Sequence, residues 1–513
     1  MSLGSDPAAL DGEPERRPLT SVRLLLLLAM AGCVRSGPAA PAPGRLSLAA
    51  AIADGGELAG AQWGLLAVEL ATGDTLVSRN PALRFVPAST LKIATTIAAL
   101  DLLGPGYRWS TELWAAGSID SASAMLHGDL VVPGTGDPTL SQRWWPAERE
   151  PLSLLVAGTR NRGISHVTGT LVVDASHWDS TSVQESWMVG DLPLAFSATG
   201  GTFVIGEGET HVEVEGGDAP GDVPTVRWWP PGEDDFLASR LTTTDDTVLA
   251  VRASYLPESR RLVLTGTVPV GLVDTLSFAT RDPVRQAAAA LHRSLVAGGV
   301  TVEGGWRVAW EPGERFGLDC VTGMAPPCET GELLAALPSP TLLKVAEGSL
   351  GPSQNWIAEQ ILRTVGASVA ERGGWDAATA AVRRHLVDSV ELDSLDVRLV
   401  DGSGLSTQDL LTPRALVHLL GYARARPWGD EYRAALAEPG EKGSTLEDRL
   451  QELKGRVFAK TGTQTNVAAL AGYVIDEGGR EIALAVLVNG SNLPAPRTRA
   501  AIDRIVRLVA SGR

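Results

Sequence analysis

Apolar and polar positions alternate through WGLLAVELATGDTLVSRN, residues 63–80, on either side of a Gly-Asp turn. A period of two predicts a β-hairpin there. The pattern then changes. From Ser89, just after Pro87-Ala88, a run of helix formers begins, with Ile93, Ala94, Ile97, Ala98, Ala99, Leu100, Leu102 and Leu103 making it apolar nearly all round. That distribution predicts a buried helix, in which a lysine at position 92 needs a reason.

From about 106 to 330 short strand-like runs stand between Gly, Pro and Asp, as in GDLVVPGTGDPTL, GTLVVDASHW, HVEVEGG, TVLAVRASY and RRLVLTGTVPV. This predicts a mostly-β region, interrupted by one amphipathic helix near DPVRQAAAALHRSLVAGG and followed by strand sequence in VTVEGGWRVAW. After about 331 a helical period returns in TLLKVAEGSL, NWIAEQILRTVG, WDAATAAVRRHLVDS, PRALVHLLGYARA and TLEDRLQEL. Strands follow at VAALAGYVIDE and REIALAVLVNG, then a last helix at APRTRAAIDRIVRLVAS. Strands flanked by helices at both ends of the chain predict one discontinuous α/β domain from 46–105 and 331–513. Residues 106–330 are then a large insertion, so the expected class is α+β.

The whole chain narrows the function classes. Its 513 residues exceed one ordinary core, and a formal charge of −16 offers no cationic face for nucleic acid. Residues 24–31, LLLLLAMA, are too few to span a bilayer, and Arg16, Arg17 and Arg23 precede them. Residues 1–33 read as an export signal, and AMAGC resembles a lipobox that would leave Cys33 acylated. VRSGPAAPAPGR, residues 34–45, reads as a tether. The other two cysteines, Cys320 and Cys328, flank a short Pro-rich loop and suggest a disulfide in an exported protein. Seven histidines with no HExxH, and so few cysteines, imply no metal site and no cofactor.

Chemistry concentrates in three short motifs. The chain has five lysines among 44 basic residues, and only at Ser89-Thr90-Leu91-Lys92 does a serine stand three positions before one. One helical turn apart, hydroxyl and amine can touch, and a buried amine that loses its proton can take one from the serine. Ser353-Gln354-Asn355 stands where a loop enters a helix, a place where an N-cap is the ordinary explanation. Lys460-Thr461-Gly462-Thr463 lies on strand-like sequence, where Gly462 would let a ligand approach the backbone.

In this order the motifs resemble the S-x-x-K, S-x-N and K-T-G signature shared by penicillin-binding proteins and class A β-lactamases. The long interval between Ser89 and Ser353 is similar to that of D-alanyl-D-alanine carboxypeptidases and endopeptidases of the penicillin-binding protein 4 type. So are GDLVVPGTGDPTLS at 128–141, GISHVTGTLVVD at 163–174, DGSGLS at 401–406 and KTGTQTNVAALAGYV. The resemblance implies Ser89 as nucleophile, Lys92 as its base, Ser353 as a proton relay and Asn355 on the substrate amide. Lys460, Thr461, Gly462 and Thr463 would hold the terminal carboxylate, with backbone N–H groups of Ser89 and Thr463 facing the oxyanion. Lys460 would also depress the Lys92 pKa by repulsion, while Asp401 and Ser403 shape a turn beside the site. It further implies peptidoglycan peptides as substrates, β-lactams as inhibitors and a location in the cell envelope. A β-lactamase or esterase on the same fold, and a non-catalytic wall-binding homologue, are the competing readings.

Overall fold

The computed structural model describes residues 58, 60–146, 150–230, 236–255, 261–311, 331–370 and 372–512. The leader, the tether, Cys33, Cys320 and Cys328 lie outside them. Strands β1 (Gln62–Glu69) and β2 (Thr75–Arg79) form the expected hairpin, and β3 (Val457–Gln464), β4 (Val467–Ile475) and β5 (Glu481–Asn489) come from the other end of the chain. Together they make one antiparallel sheet in the order β3-β4-β5-β1-β2. The β1–β5 pairing, from Gln62 opposite Asn489 to Glu69 opposite Ile482, joins the two halves of the domain.

Both faces of this sheet are covered, so its central strands read as nearly unbroken apolar runs. Trp63, Leu65 and Ala67 of β1, with Ile482, Leu484, Val486 and Val488 of β5, face the C-terminal helix through Ile502 and Val506. Ala483, Ala485 and Leu487 point the other way, into the core that also holds Ile93 and Ile97. That second layer contains helices α1 (Lys92–Leu102), α2 (Leu342–Leu350), α3 (Asn355–Val369), α4 (Trp375–Asp388) and α5 (Pro413–Arg424).

Among the described residues the inserted region holds a seven-stranded mixed sheet and two three-stranded sheets. Its larger sheet is not a separate body, because Leu113, Leu130 and Val132 share one continuous core with α1 and α3. The smaller sheets have their own core around Val212, Leu262 and Phe278. The expected domain junction at 331 falls inside the larger sheet, since Gly331–Pro338 pairs antiparallel with Ser110–Asp120. Helical structure resumes at Leu342.

One predicted helix is absent. TLEDRLQEL, residues 445–453, forms turns ending in a short 3-10 segment, Gln451–Leu453. Leu446, Leu450 and Leu453 do enter the core, which explains their helix-like spacing. They reach it with Leu450 at φ 53° and with the Thr445 N–H bonded to the Gly351 carbonyl, so tertiary anchors override the local period.

Candidate active site

Ser89 sits on a turn clamped from several sides. Phe85 pairs with Leu411, and both backbone groups of Val86 bond the Asn489 side chain, at 2.8 and 3.1 Å. Ala88 then takes φ 46°, and residues Ala88–Leu91 form a 3-10 turn that runs into α1. The first turn of the expected helix is therefore tighter than α. Lys92 is fully buried, and its Nζ lies 2.8 Å from Ser89 Oγ, 2.6 Å from Asn355 Oδ1 and 2.9 Å from the Ser403 carbonyl oxygen.

The second and third motifs meet in the same way. Ser353 has φ 70°, and the N-cap of α3 is Gln354, whose side chain accepts from the Trp356 N–H. Neither Ser353 nor Asn355 is spent on capping. Asn355 Nδ2 donates to the Phe196 carbonyl at 2.8 Å, which fixes Oδ1 toward Lys92. Lys460, also fully buried, places Nζ 2.7 Å from Ser353 Oγ and 2.9 Å from the Thr461 carbonyl.

Strand β3 is a sheet edge, and its free side borders the Ser89 turn. A Cβ on Gly462 would stand 2.8 Å from the Pro87 carbonyl oxygen and 3.1 Å from Ser89 N, so only glycine allows this approach. The Ala459 N–H bonds outward, to the Ala437 carbonyl. Alternation along the strand directs the N–H groups of Thr461 and Thr463 the same way. Thr463 is exposed and Thr461 buried.

Behind Lys92 lies the DGSGLS loop. Asp401 is buried and accepts from the N–H groups of Ser403, Gly404 and Ser406 and from Trp187 Nε1, at 2.6–3.1 Å. Its role is to shape this turn, and Ser403 contributes its carbonyl to Lys92. Sequence reasoning missed Glu359, one helical turn after Asn355. Its carboxylate accepts from the N–H groups of Gly402 and Ser403 and from Trp375 Nε1, at 2.7–3.1 Å. The spacing from Asn355 was the one available signal.

Burial lowers the Lys92 amine from its usual range to about 7, against the opposing fields of Asp401 and Glu359. Burial also depresses Lys460, and the charge of Lys92 depresses it further. Desolvation is thus the leading cause at both lysines, and the repulsion between their charges, being mutual, works in the same direction. Burial and Asp401 push Glu359 up to about 7, while its N–H donors pull it back.

An uncharged Lys92 has two protons and one lone pair. The Asn355 and Ser403 oxygens can only accept, so both protons are taken and the lone pair is left facing the Ser89 hydroxyl. That is the arrangement of a base set to activate a serine.

The sequence pattern of the D-Ala-D-Ala carboxypeptidase 3 (S13) family matches residues 45–511. The chain belongs to that family. It is 31% identical over 463 residues to a D-alanyl-D-alanine carboxypeptidase of Actinomadura sp., covering 87% of this chain and 81% of the relative. It is 24% identical to the D-alanyl-D-alanine carboxypeptidase DacB of Haemophilus influenzae, over 84% of this chain and 86% of that one. The crystal structure of penicillin binding protein 4 from H. influenzae superposes with a TM-score of 0.75 at 23% identity, covering 91% of this chain and 98% of that chain. This likeness bears out the expected α+β fold. The S13 family assignment makes the protein a serine peptidase.

Gly462→Ala should drive β3 away from the Ser89 turn while leaving the two cores intact. Misplacement on the order of 1 Å at a reacting group costs about 100-fold in rate. Reaction with a fluorescent penicillin should slow by about that factor, with the melting temperature nearly unchanged; a parental rate would refute the close-approach argument.

Proposed function

We propose that the protein hydrolyses peptides ending in D-alanyl-D-alanine, or crosslinked through such a bond, by way of an acyl-enzyme on Ser89. The observation that carries this reading is the Lys92 amine, buried and oriented by two carbonyl acceptors toward one hydroxyl. Ser89 Oγ attacks the peptide carbonyl carbon as its proton passes to Lys92 Nζ. The oxyanion that forms is met by the backbone N–H groups of Ser89 and Thr463, each such donor being worth roughly 3 kcal/mol. The C–N bond breaks when the departing amine receives a proton through Ser353, which hydrogen-bonds Lys460. Water then attacks the acyl carbon and frees Ser89.

Asn355 binds the substrate amide beside Lys92, and the Lys460–Thr463 edge receives the terminal carboxylate. A β-lactam presents an amide carbonyl in the same place, strained by its ring, and acylates the same serine. Carboxypeptidase and endopeptidase products differ only in what the outer pocket admits. The substrate places the protein in the cell envelope, where acylation of Cys33 would anchor it. Metabolic labelling with an alkyne fatty acid should mark the parent and not Cys33→Ser, and equal labelling of both would exclude the anchor.

Ser89→Ala should abolish labelling by penicillin, read as loss of the adduct mass, and abolish turnover of crosslinked muropeptides. An adduct that survives would refute the assignment. The acylation rate should rise about tenfold per pH unit below about 7 and level off above it, because the reactive form of Lys92 is the unprotonated one. Glu359→Gln removes a field that raises the Lys92 pKa, so the midpoint of that profile should move to lower pH. An alkaline shift would contradict the electrostatic account.

A further inference from the structure

Gln354, the middle residue of the second motif, does more than cap a helix. Its Nε2 donates to Glu207 Oε2 at 2.7 Å, linking the inserted region to the loop that carries Ser353. Glu207 is buried and is itself gripped: Arg143 donates through Nε at 2.6 Å and Nη2 at 3.1 Å, and Ser141 Oγ adds a third bond at 3.1 Å. Burial works to raise the Glu207 carboxyl, but Arg143, Gln354 and Ser141 together hold it below the usual range. The carboxylate therefore stays charged, and a charged acceptor makes the stronger bond to Gln354.

The backbone here is unusual. Gly206, Glu207 and Gly208 all have positive φ, at 59°, 59° and 70°, and Glu207 is the one with a side chain. L-residues rarely adopt this shape, and they persist in it where the surroundings enforce it, most often near functional sites. Ser353, adjacent to Gln354, is left-handed as well. Two uncommon backbone conformations are thus joined by one side-chain bond. Arg143, Glu207 and Gln354 also line a cavity of about 690 Å³, so their polar groups border open space and do not fill an apolar core.

We propose that Glu207 is a positioning residue for the reaction at Ser89. Held by Arg143, it pins Gln354 and so fixes Ser353 in reach of Lys460. The inference rests on the acyl-enzyme reading above and adds that the inserted region sets the geometry of the proton relay. Ser353 is two residues from Asn355, which contacts Lys92, so slack at Gln354 would loosen both amine contacts at once.

Glu207→Gly tests this directly, because glycine takes the left-handed backbone without strain and removes the carboxylate with the rest of the side chain. Acylation by a labelled penicillin, measured well below the variant's own melting temperature, is expected to slow at least about tenfold. Gln354→Ala should show a similar loss, and the double variant should be no slower than the slower single one, since the two act as one unit. Glu207→Gln, which keeps an acceptor for Gln354, should recover part of the rate. A parental rate in both Glu207→Gly and Gln354→Ala, or losses that multiply in the double variant, would overturn the proposal. So would a loss that simply follows a falling melting temperature. Ser89→Ala measured alongside separates the two levels: labelling there defeats the acyl-enzyme reading, whereas a silent Ser89→Ala beside parental rates in Glu207→Gly and Gln354→Ala defeats only the positioning role of Glu207.

Discussion

Two lysine amines removed from water, each bonded to a serine hydroxyl, set the terms for the rest of the structure. Burying an ammonium is costly unless it is paired or loses its proton, and among the described residues neither Lys92 nor Lys460 hydrogen-bonds a carboxylate. Asp401 and Glu359 stand one layer back, with the Ser403 backbone between Glu359 and Lys92. Their fields temper the depression of the Lys92 pKa without supplying a direct partner that would hold the proton. Arginine could not serve at either position, because its guanidinium does not give up a proton in the working range.

Such an arrangement needs a rigid frame, and the chain builds it from distorted backbone. Ala88 and Ser353 both have positive φ, one just before the nucleophile and the other at the relay serine. Both are fixed by contacts distant in sequence: Asn489 clamps Val86, and the Glu207 carboxylate holds Gln354. Glycine is required at 462 so that the Lys460 strand can close against the same turn.

The inserted region takes part in this frame. It supplies the Phe196 carbonyl to Asn355, Trp187 to Asp401 and Glu207 to Gln354. Its main sheet shares a core with α1 and α3, so that sheet and the reactive helices are packed against one another. An insertion in sequence is here a wall of the site in space.

Local pattern determined a good deal. The β1–β2 hairpin, the buried α1 and the two-faced strands β4 and β5 follow from periods of two and 3.6, because burial on one or both faces leaves its mark residue by residue. Ser89 and Lys92 could be picked out because their chemistry needs a fixed spacing of one helical turn, and Ser353, Asn355 and Lys460 because their motifs, in this order, resemble a family signature. Tertiary structure alone decided that 445–453 would turn instead of coil, that the larger inserted sheet would extend through Pro338, and that Glu359 and Glu207 would reach the site. Those outcomes depend on contacts between separate segments of the chain, or on burial that a single acid or leucine in a sequence does not announce. The depressed pKa of Lys92 belongs to the same class, since desolvation is a property of everything packed around the amine.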